Sequence, residues 1–88
     1  MTDLNALIAK EKGRTNPFDN IDYLHDANLY MGLFGEMPNP GLRKHGLQWY
    51  CCPNMNSSTA LSHIAIYADT IGEAVCRAWL AWKGVVIE

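Results

Sequence analysis

The side chains best suited to metal binding or nucleophilic chemistry are scattered over the chain rather than grouped. A metal site would have to draw on His45, Cys51, Cys52, His63 and Cys76. Zinc sites typically have paired ligands at short spacing, such as C-x-x-C, and the sequence has no such pair. Cys51 and His63 are expected to meet across a predicted hairpin, which supplies two ligands at most. We therefore predict no metal and no other cofactor.

The cysteines are also poorly suited to act as catalytic thiols. Their number is odd and their spacing matches no disulfide framework, so free thiols in a reducing compartment are expected. Cys76 lies among Val75, Ala78 and Trp79, and burial there would raise its thiol pKa and make it unreactive. His25 and Asp22 are three residues apart, which is typical of a surface ion pair on a helix. We predict no catalytic residues and a protein that is not an enzyme; a metal- or thiol-dependent enzyme is the least favoured alternative.

One short region could bind nucleic acid. Arg43 and Lys44 lie near Trp49 and Tyr50, and aromatic rings interleaved with cations can stack on bases. The formal net charge of the chain is −2, however, and its lysines and arginines form no basic stripe. Nucleic acid is therefore an unfavoured partner, and a nucleic-acid-associated regulator is kept as the alternative function.

Protein binding is the interpretation that we favour. A small sheet has open edges that can pair with another chain, and tyrosine is enriched at interface hot spots. The candidate contact residues lie on the flank of the second predicted helix and on the outward face of the second predicted strand: Tyr23, Tyr30, Leu33, Leu61, His63 and Tyr67. The partner would be a host or phage protein, or a second copy of this chain in a homodimer.

Composition predicts a folded cytoplasmic domain. The 88 residues are 49% hydrophobic and 18% charged, a balance that disfavours intrinsic disorder. The N-terminus lacks the layout of a signal peptide. The longest apolar stretch, residues 71–87, is interrupted by charged residues and glycines, so we expect no membrane association.

Helical spacing appears twice in the first half of the chain. Thr2 can cap a short helix that carries Leu4, Leu7 and Ile8 and ends near Gly13. A second helix is predicted to begin at Asp19 or Asn20 and to end at Gly35. Its buried stripe is predicted to contain Ile21, Leu24, Ala27 or Asn28, Met31 and Phe34.

Alternating apolar and polar residues then predict two strands. In residues 44–52, Leu47, Trp49 and Cys51 are expected to share one face. Residues 61–68 form the second strand, and the polar connection between the two indicates an antiparallel hairpin with a long loop.

The third helix has the clearest signals. Thr70 and Glu73 match a capping box, and Gly84 fits the residue just after the helix. Trp79 and Trp82 lie on its broad apolar face. Together with Trp49 of the first predicted strand, they are expected to supply much of the core. Gly72 is expected either to allow close packing or to be merely tolerated because it lies early in the helix.

These elements predict an α+β fold with one domain spanning residues 1–88. A two-stranded antiparallel sheet, or a three-stranded one if residues 85–88 add a strand, packs against two main helices. Residues 1–15 form the extra N-terminal helix and a loop, and residues 16–88 form a sandwich-like core.

Two segments resemble the phage ABA-sandwich domain family of small phage and prophage proteins. One is residues 16–24, after which the predicted second helix continues. The other is residues 64–80, where an aromatic strand end is followed by Ala-x-Thr-x-x-Glu-Ala, an apolar residue, Cys and Arg-Ala in the family's order. The sequence departs from the pattern in lacking a second proline beside Pro17 and in its extra N-terminal helix.

The resemblance implies a phage or prophage origin and a helix–strand–strand–helix sandwich. It implies no activity, because the family has none established and no catalytic residues to carry over. Small acidic phage proteins often bind a host protein, such as a defence or transcription component. The sequence thus predicts a small phage accessory protein that acts by binding another protein.

Overall fold

A computed structural model of the chain describes residues 4–13, 21–54 and 66–85. Within these ranges it contains three helices and one antiparallel sheet of three strands in the order β1-β2-β3. The elements in chain order are α1 (Leu4–Glu11), α2 (Ala27–Glu36), β1 (Gly41–His45), β2 (Gln48–Cys52), β3 (Ile66–Ala68) and α3 (Ile71–Trp82). The predicted α+β class is confirmed.

Helix α1 agrees with its prediction. Leu4 and Ile8, one helical turn apart, are buried, and Leu7 packs partly against the same core. Gly13 follows the helix with a φ of +79°, a conformation that glycine adopts without the steric penalty of a Cβ. The predicted cap, Thr2, lies outside the described residues.

Helix α2 begins later than predicted. Its N-cap is Asp26, whose side chain accepts a 3.0 Å hydrogen bond from the backbone N–H of Asn28. The positions proposed as caps, Asp19 and Asn20, lie outside the described residues. Residues 21–26 form a turn and connection, with the Asp26 N–H bonded to the Asp22 carbonyl at 3.1 Å.

The predicted buried stripe of this helix is correct only in part: Ile21, Leu24 and Phe34 pack against the core, whereas Ala27, Asn28 and Met31 are exposed. Met31 is 44% exposed, whereas Leu33 is 1% exposed. The stripe that packs on the core has the same helical spacing but a shifted phase and consists of Leu29, Tyr30, Leu33, Phe34 and Met37. Nearly every residue of this helix is apolar or small, so the sequence periodicity is compatible with two different buried stripes. Packing against α3 determines which of the two is buried.

The connection before α2 is fixed by the side chain of Asn5 in α1. The Asn5 amide nitrogen donates to the Asp22 carboxylate at 3.1 Å, and the Asn5 amide oxygen accepts from the Leu24 N–H at 3.1 Å. Nδ1 of His25 lies 2.9 Å from the same carboxylate, which confirms the predicted pair, although it lies in a turn. Desolvation opposes ionisation of Asp22, but the Asn5 and His25 contacts outweigh it and lower the carboxyl pKa.

The same connection runs directly over α3 at Gly72. A Cβ placed on Gly72 would overlap the Leu24 carbonyl oxygen, far inside van der Waals contact. Glycine is therefore required by the close approach of the two backbones, which agrees with the close packing predicted at Gly72.

The segment predicted as one strand over residues 44–52 is instead a hairpin of β1 and β2. The chain reverses at Gly46 and Leu47, and Gly46 has a φ of +65°. Glycine at the first of two loop positions is typical of a type II′ turn, whose twist matches that of the strands. Leu47, expected to face the same way as Trp49, therefore lies at the tip and is 93% exposed.

The predicted antiparallel pairing of residues 61–68 with the preceding strand is confirmed where it is described. Strand β3 pairs antiparallel with β2, with Tyr67 opposite Tyr50, while residues 61–65 lie outside the described ranges. The third strand of the described sheet is β1, and residues 86–88 of the segment proposed as an extra strand lie outside the described ranges.

Helix α3 lies between the sheet and the other two helices. It contacts β2 and β3 on one side and α1 and α2 on the other, and seven of its twelve residues are buried. The Thr70 hydroxyl oxygen accepts a 3.2 Å bond from the Glu73 N–H, which gives the helix its N-cap. At the other end, the N–H groups of Gly84 and Val85 bond to the carbonyls of Ala81 and Leu80 in a Schellman arrangement.

The core centres on Trp79, which is 1% exposed, and Trp49 and Trp82 pack partly against it. This agrees with the core predicted for the three tryptophans. Within the described ranges, no helix combines the length and apolar content needed to cross a membrane.

Candidate binding face of the sheet

The pairing of the strands assigns their side chains to two faces. Five side chains from the strands pack against the core on the face that α3 covers: Leu42, Trp49, Cys51, Ile66 and Ala68. The alternate positions point the other way. We call the cluster formed there by Arg43, His45, Tyr50 and Tyr67 the outer face.

Register brings the outer-face side chains together from all three strands. Arg43 of β1 is paired with Tyr50 of β2, which is paired in turn with Tyr67 of β3. The Tyr50 and Tyr67 ring centroids are 5.5 Å apart with planes tilted by 59°. The His45 ring meets Tyr67 edge-on at 5.8 Å with an interplanar angle of 76°. These distances are typical of attractive aromatic packing.

The four side chains of the outer face line one shallow open pocket of about 190 Å³. Arg43, His45 and Tyr67 are exposed, with Tyr67 at 48%, and Tyr50 is half-buried. The pocket therefore presents a guanidinium, an imidazole and two phenol rings to a ligand.

The local charge of this face is positive although the chain is acidic. Strands β1, β2 and β3 contain no aspartate or glutamate. Within the described part of the chain, the Arg43 guanidinium forms no salt bridge, whereas Lys12 and Arg77 each pair with a glutamate. Burial, reinforced by Cys52, raises the Tyr50 pKa, and Arg43 opposes that rise, which indicates that its charge lies near the phenol. The phenol is thus neutral at physiological pH.

The residues proposed for nucleic-acid binding do not form one surface. Arg43 and Tyr50 lie on the outer face, but Lys44 and Trp49 lie at the alternate positions of the same paired strands. The Lys44 ammonium lies 5.9 Å from the Trp49 ring centroid on that other side. The cations and rings that are interleaved in sequence are therefore separated by the sheet.

The residues proposed for protein binding are also only partly brought together. Tyr23 and Leu33 are 3% and 1% exposed, so the structure contradicts their placement on a helix surface. Tyr30 packs partly against the core. Tyr67 is exposed as predicted, and Leu61 and His63 lie outside the described residues.

His45 was not identified from the sequence as part of the outer face, nor Leu47 as an exposed residue at the hairpin tip. Both follow from the hairpin at Gly46, because the reversal aligns β1 with β2 and leaves Leu47 at the tip. The sequence does contain a signal for this hairpin: Gly46 and Leu47 form a two-residue loop between two short segments of alternating residue types.

The cysteines are free thiols, and all three are buried. Burial raises the pKa of both Cys51 and Cys76 to about 12, so these thiols are protonated and poor nucleophiles at neutral pH. Cys52 donates to the Asn54 carbonyl at 3.5 Å. Among the residues that the structure describes, no three His, Cys, Asp or Glu side chains are grouped as metal ligands.

Comparisons with protein-family models, curated proteins and solved structures give no match for this chain. The resemblance to the phage ABA-sandwich family therefore stays a prediction from the two sequence segments.

Proposed function

We propose that this protein is a non-catalytic binding module that recognises another protein through the outer face of its sheet. The observation that supports the proposal is the cluster of Arg43, His45, Tyr50 and Tyr67, which is open to solvent on the side opposite α3. Tyrosine and arginine are the residue types most enriched at interface hot spots, together with tryptophan. Leu47 at the hairpin tip adds an apolar side chain near this surface.

In this proposal the module is a phage or prophage accessory protein that works in the bacterial cytoplasm. Its partner is a host or phage protein, such as a component of host defence or transcription. The phage origin comes from the sequence resemblance alone, whereas the binding role is supported by the exposed aromatic cluster. A homodimer formed through the same face is one form of this function.

The second candidate function is binding of single-stranded nucleic acid. One observation favours it: an arginine and two tyrosines share the open face of an antiparallel sheet, an arrangement on which bases can stack. Two observations weigh against it. The Tyr50 and Tyr67 ring planes are tilted by 59° against each other, so the two rings do not form one flat stacking surface, and Lys44 lies on the other side of the sheet.

Affinity capture from bacterial lysate, with and without nuclease, tests the proposal. We expect a protein captured in stoichiometric amount, with Tyr67→Ala reducing its recovery about tenfold or more, as for a hot-spot residue. Met31→Ala is the matched control, since Met31 is similarly exposed but lies on α2.

Recovery that disappears after nuclease treatment would indicate the nucleic-acid candidate instead. Equal recovery with Tyr67→Ala and Met31→Ala would show that the outer face is not the binding surface. Light scattering of the free protein distinguishes a homodimer, which should dissociate in the Tyr67→Ala variant.

A further inference from the structure

We propose that the outer-face pocket receives the carboxylate of an aspartate or glutamate in an acidic segment of the partner protein. This inference rests on the proposed function and specifies the chemistry of the partner. Its anchor is Arg43, which lines the pocket and has no salt bridge within the described part of the chain.

Charge complementarity identifies the occupant as an anion. The three strands contain no acidic residue, although the chain as a whole has nine. An acidic segment therefore approaches the outer face without repulsion from the strands, while the net charge of −2 disfavours its binding elsewhere. The planar guanidinium of arginine matches a carboxylate in a bidentate geometry.

The aromatic walls of the pocket strengthen this match. Tyr50 and Tyr67 lie beside the guanidinium and replace part of the surrounding water with ring surface. Charge-assisted hydrogen bonds are stronger where the local dielectric is lower than that of water. The rings also give the aliphatic part of a glutamate side chain an apolar surface to pack on.

The same observations favour one carboxylate over a polyanion. Binding to a nucleic-acid backbone gains affinity from several cations that neutralise successive phosphates. Here one guanidinium points into the pocket, and the neighbouring Lys44 lies over Trp49 on the opposite side of the sheet. The site is therefore suited to a single anionic group at the end of a side chain.

The test uses two peptides that differ only in charge. One is a nonapeptide of alternating glutamate and alanine with blocked ends, and the other has glutamine at every glutamate position. Both are titrated into the ¹⁵N-labelled 88-residue chain, and amide and arginine side-chain shifts are followed by NMR. We expect the glutamate peptide to give saturable shifts at Arg43, Tyr50 and Tyr67 with a Kd of about 1 mM or below, and the glutamine peptide to give none.

The matched variants are Arg43→Gln and Lys44→Gln, which remove the same charge from adjacent positions on opposite faces of β1. Arg43→Gln should weaken the glutamate peptide about tenfold or more, whereas Lys44→Gln should change its affinity less than about twofold. Neither residue is buried, and the spectra of the free variants check that both fold.

Three outcomes would overturn the inference. These are no saturable shift with the glutamate peptide, equal weakening by the two variants, or binding at Arg43 only by a phosphotyrosine peptide or an oligothymidylate. Failure here is distinguishable from failure of the proposed function. If capture from lysate depends on Tyr67 but is unchanged by Arg43→Gln, the binding module stands and the acidic partner does not.

Discussion

The two faces of the sheet differ in how deeply their central side chains are buried. On the α3 side, Cys51 and Ala68 are small and are 0% and 3% exposed. Their neighbours along the strands, Tyr50 and Tyr67, carry large rings on the open side, where Tyr67 remains 48% exposed. Rings that served only to stabilise the fold would gain more by burial under the helix. The difference fits a stabilising role for the inner face, the side of the sheet that α3 covers, and supports the recognition role that we propose for the outer face.

The largest expected effect comes from the core that the inner face covers. Trp79→Ala should lower the free energy of unfolding by about 3–5 kcal/mol, because it leaves a large cavity at a residue that is 1% exposed. The change also removes the ring that the Lys12 and Lys83 ammoniums approach at 5.5 and 5.4 Å. Urea denaturation measures the loss. Should this variant fail to fold, Trp79→Phe should show a smaller loss in the same direction.

The next prediction compares two glycines in helices. Gly72→Ala should destabilise the protein by about 1–3 kcal/mol, since the added methyl group meets the Leu24 carbonyl oxygen. Gly32→Ala in α2 has nothing within 4 Å of the added Cβ and should stabilise by about 0.5–1 kcal/mol through helix propensity. Thermal unfolding of both variants gives the comparison. Equal effects would mean that the backbones at Gly72 and Leu24 are not in close contact.

Alkaline pH should lower the free energy of unfolding through the buried thiols of Cys51 in β2 and Cys76 in α3. Cys51 and Cys76 have pKa values of about 12 in the folded protein, against about 9 in the unfolded chain. Above pH 9 the unfolded state binds fewer protons than the folded state, so stability is complete below pH 9 and is lost as pH rises toward 12. We expect a loss of about 1–3 kcal/mol between pH 8 and pH 10.

Denaturation at both pH values measures this loss, and Cys76→Ala is the control because it removes one of the two titrating thiols. That variant should lose distinctly less stability over the same interval. An unchanged slope would show that the thiol does not ionise with the shifted pKa.

The smallest loss of stability should come from the outer face. Tyr67→Ala should lower the free energy of unfolding by only about 1 kcal/mol, because it removes the ring contacts with Tyr50 and His45 but no side chain of the buried core among the described residues. The same substitution is expected to reduce partner capture about tenfold or more. A variant that lost much more stability than this, together with binding, would remove the distinction between the two faces.

Sequence predicted the elements best where local signals were redundant. Helix α3 has a capping threonine, a C-terminal glycine and an apolar face, and all three agree with the structure. Helix α2 lacked such agreement. Its residues are apolar on several sides, and the cap that forms, Asp26, competed with earlier acidic and amide residues in the sequence. Tertiary packing decided the outcome, and no local pattern encodes that choice.

The residues of the outer face were predicted only separately, for a similar reason. Tyr67 was predicted as a protein-binding residue, whereas Arg43 and Tyr50 were predicted as nucleic-acid-binding residues. Their meeting depends on two strand registers, Arg43 with Tyr50 and Tyr50 with Tyr67. A shift of one residue would have moved each set to the other face. Recognition of the Gly46–Leu47 turn would have fixed the first of these registers.

The central position of α3 has a consequence for synthesis of the chain. Every element that contacts this helix precedes it in sequence, so a nascent chain that ends before residue 71 has no α3 to cover the inner face or the apolar stripe of α2. Until α3 has emerged from the ribosome, those surfaces are exposed to chaperones and to other nascent chains. Ribosome-bound intermediates stalled before and after this helix should therefore differ sharply in protease resistance.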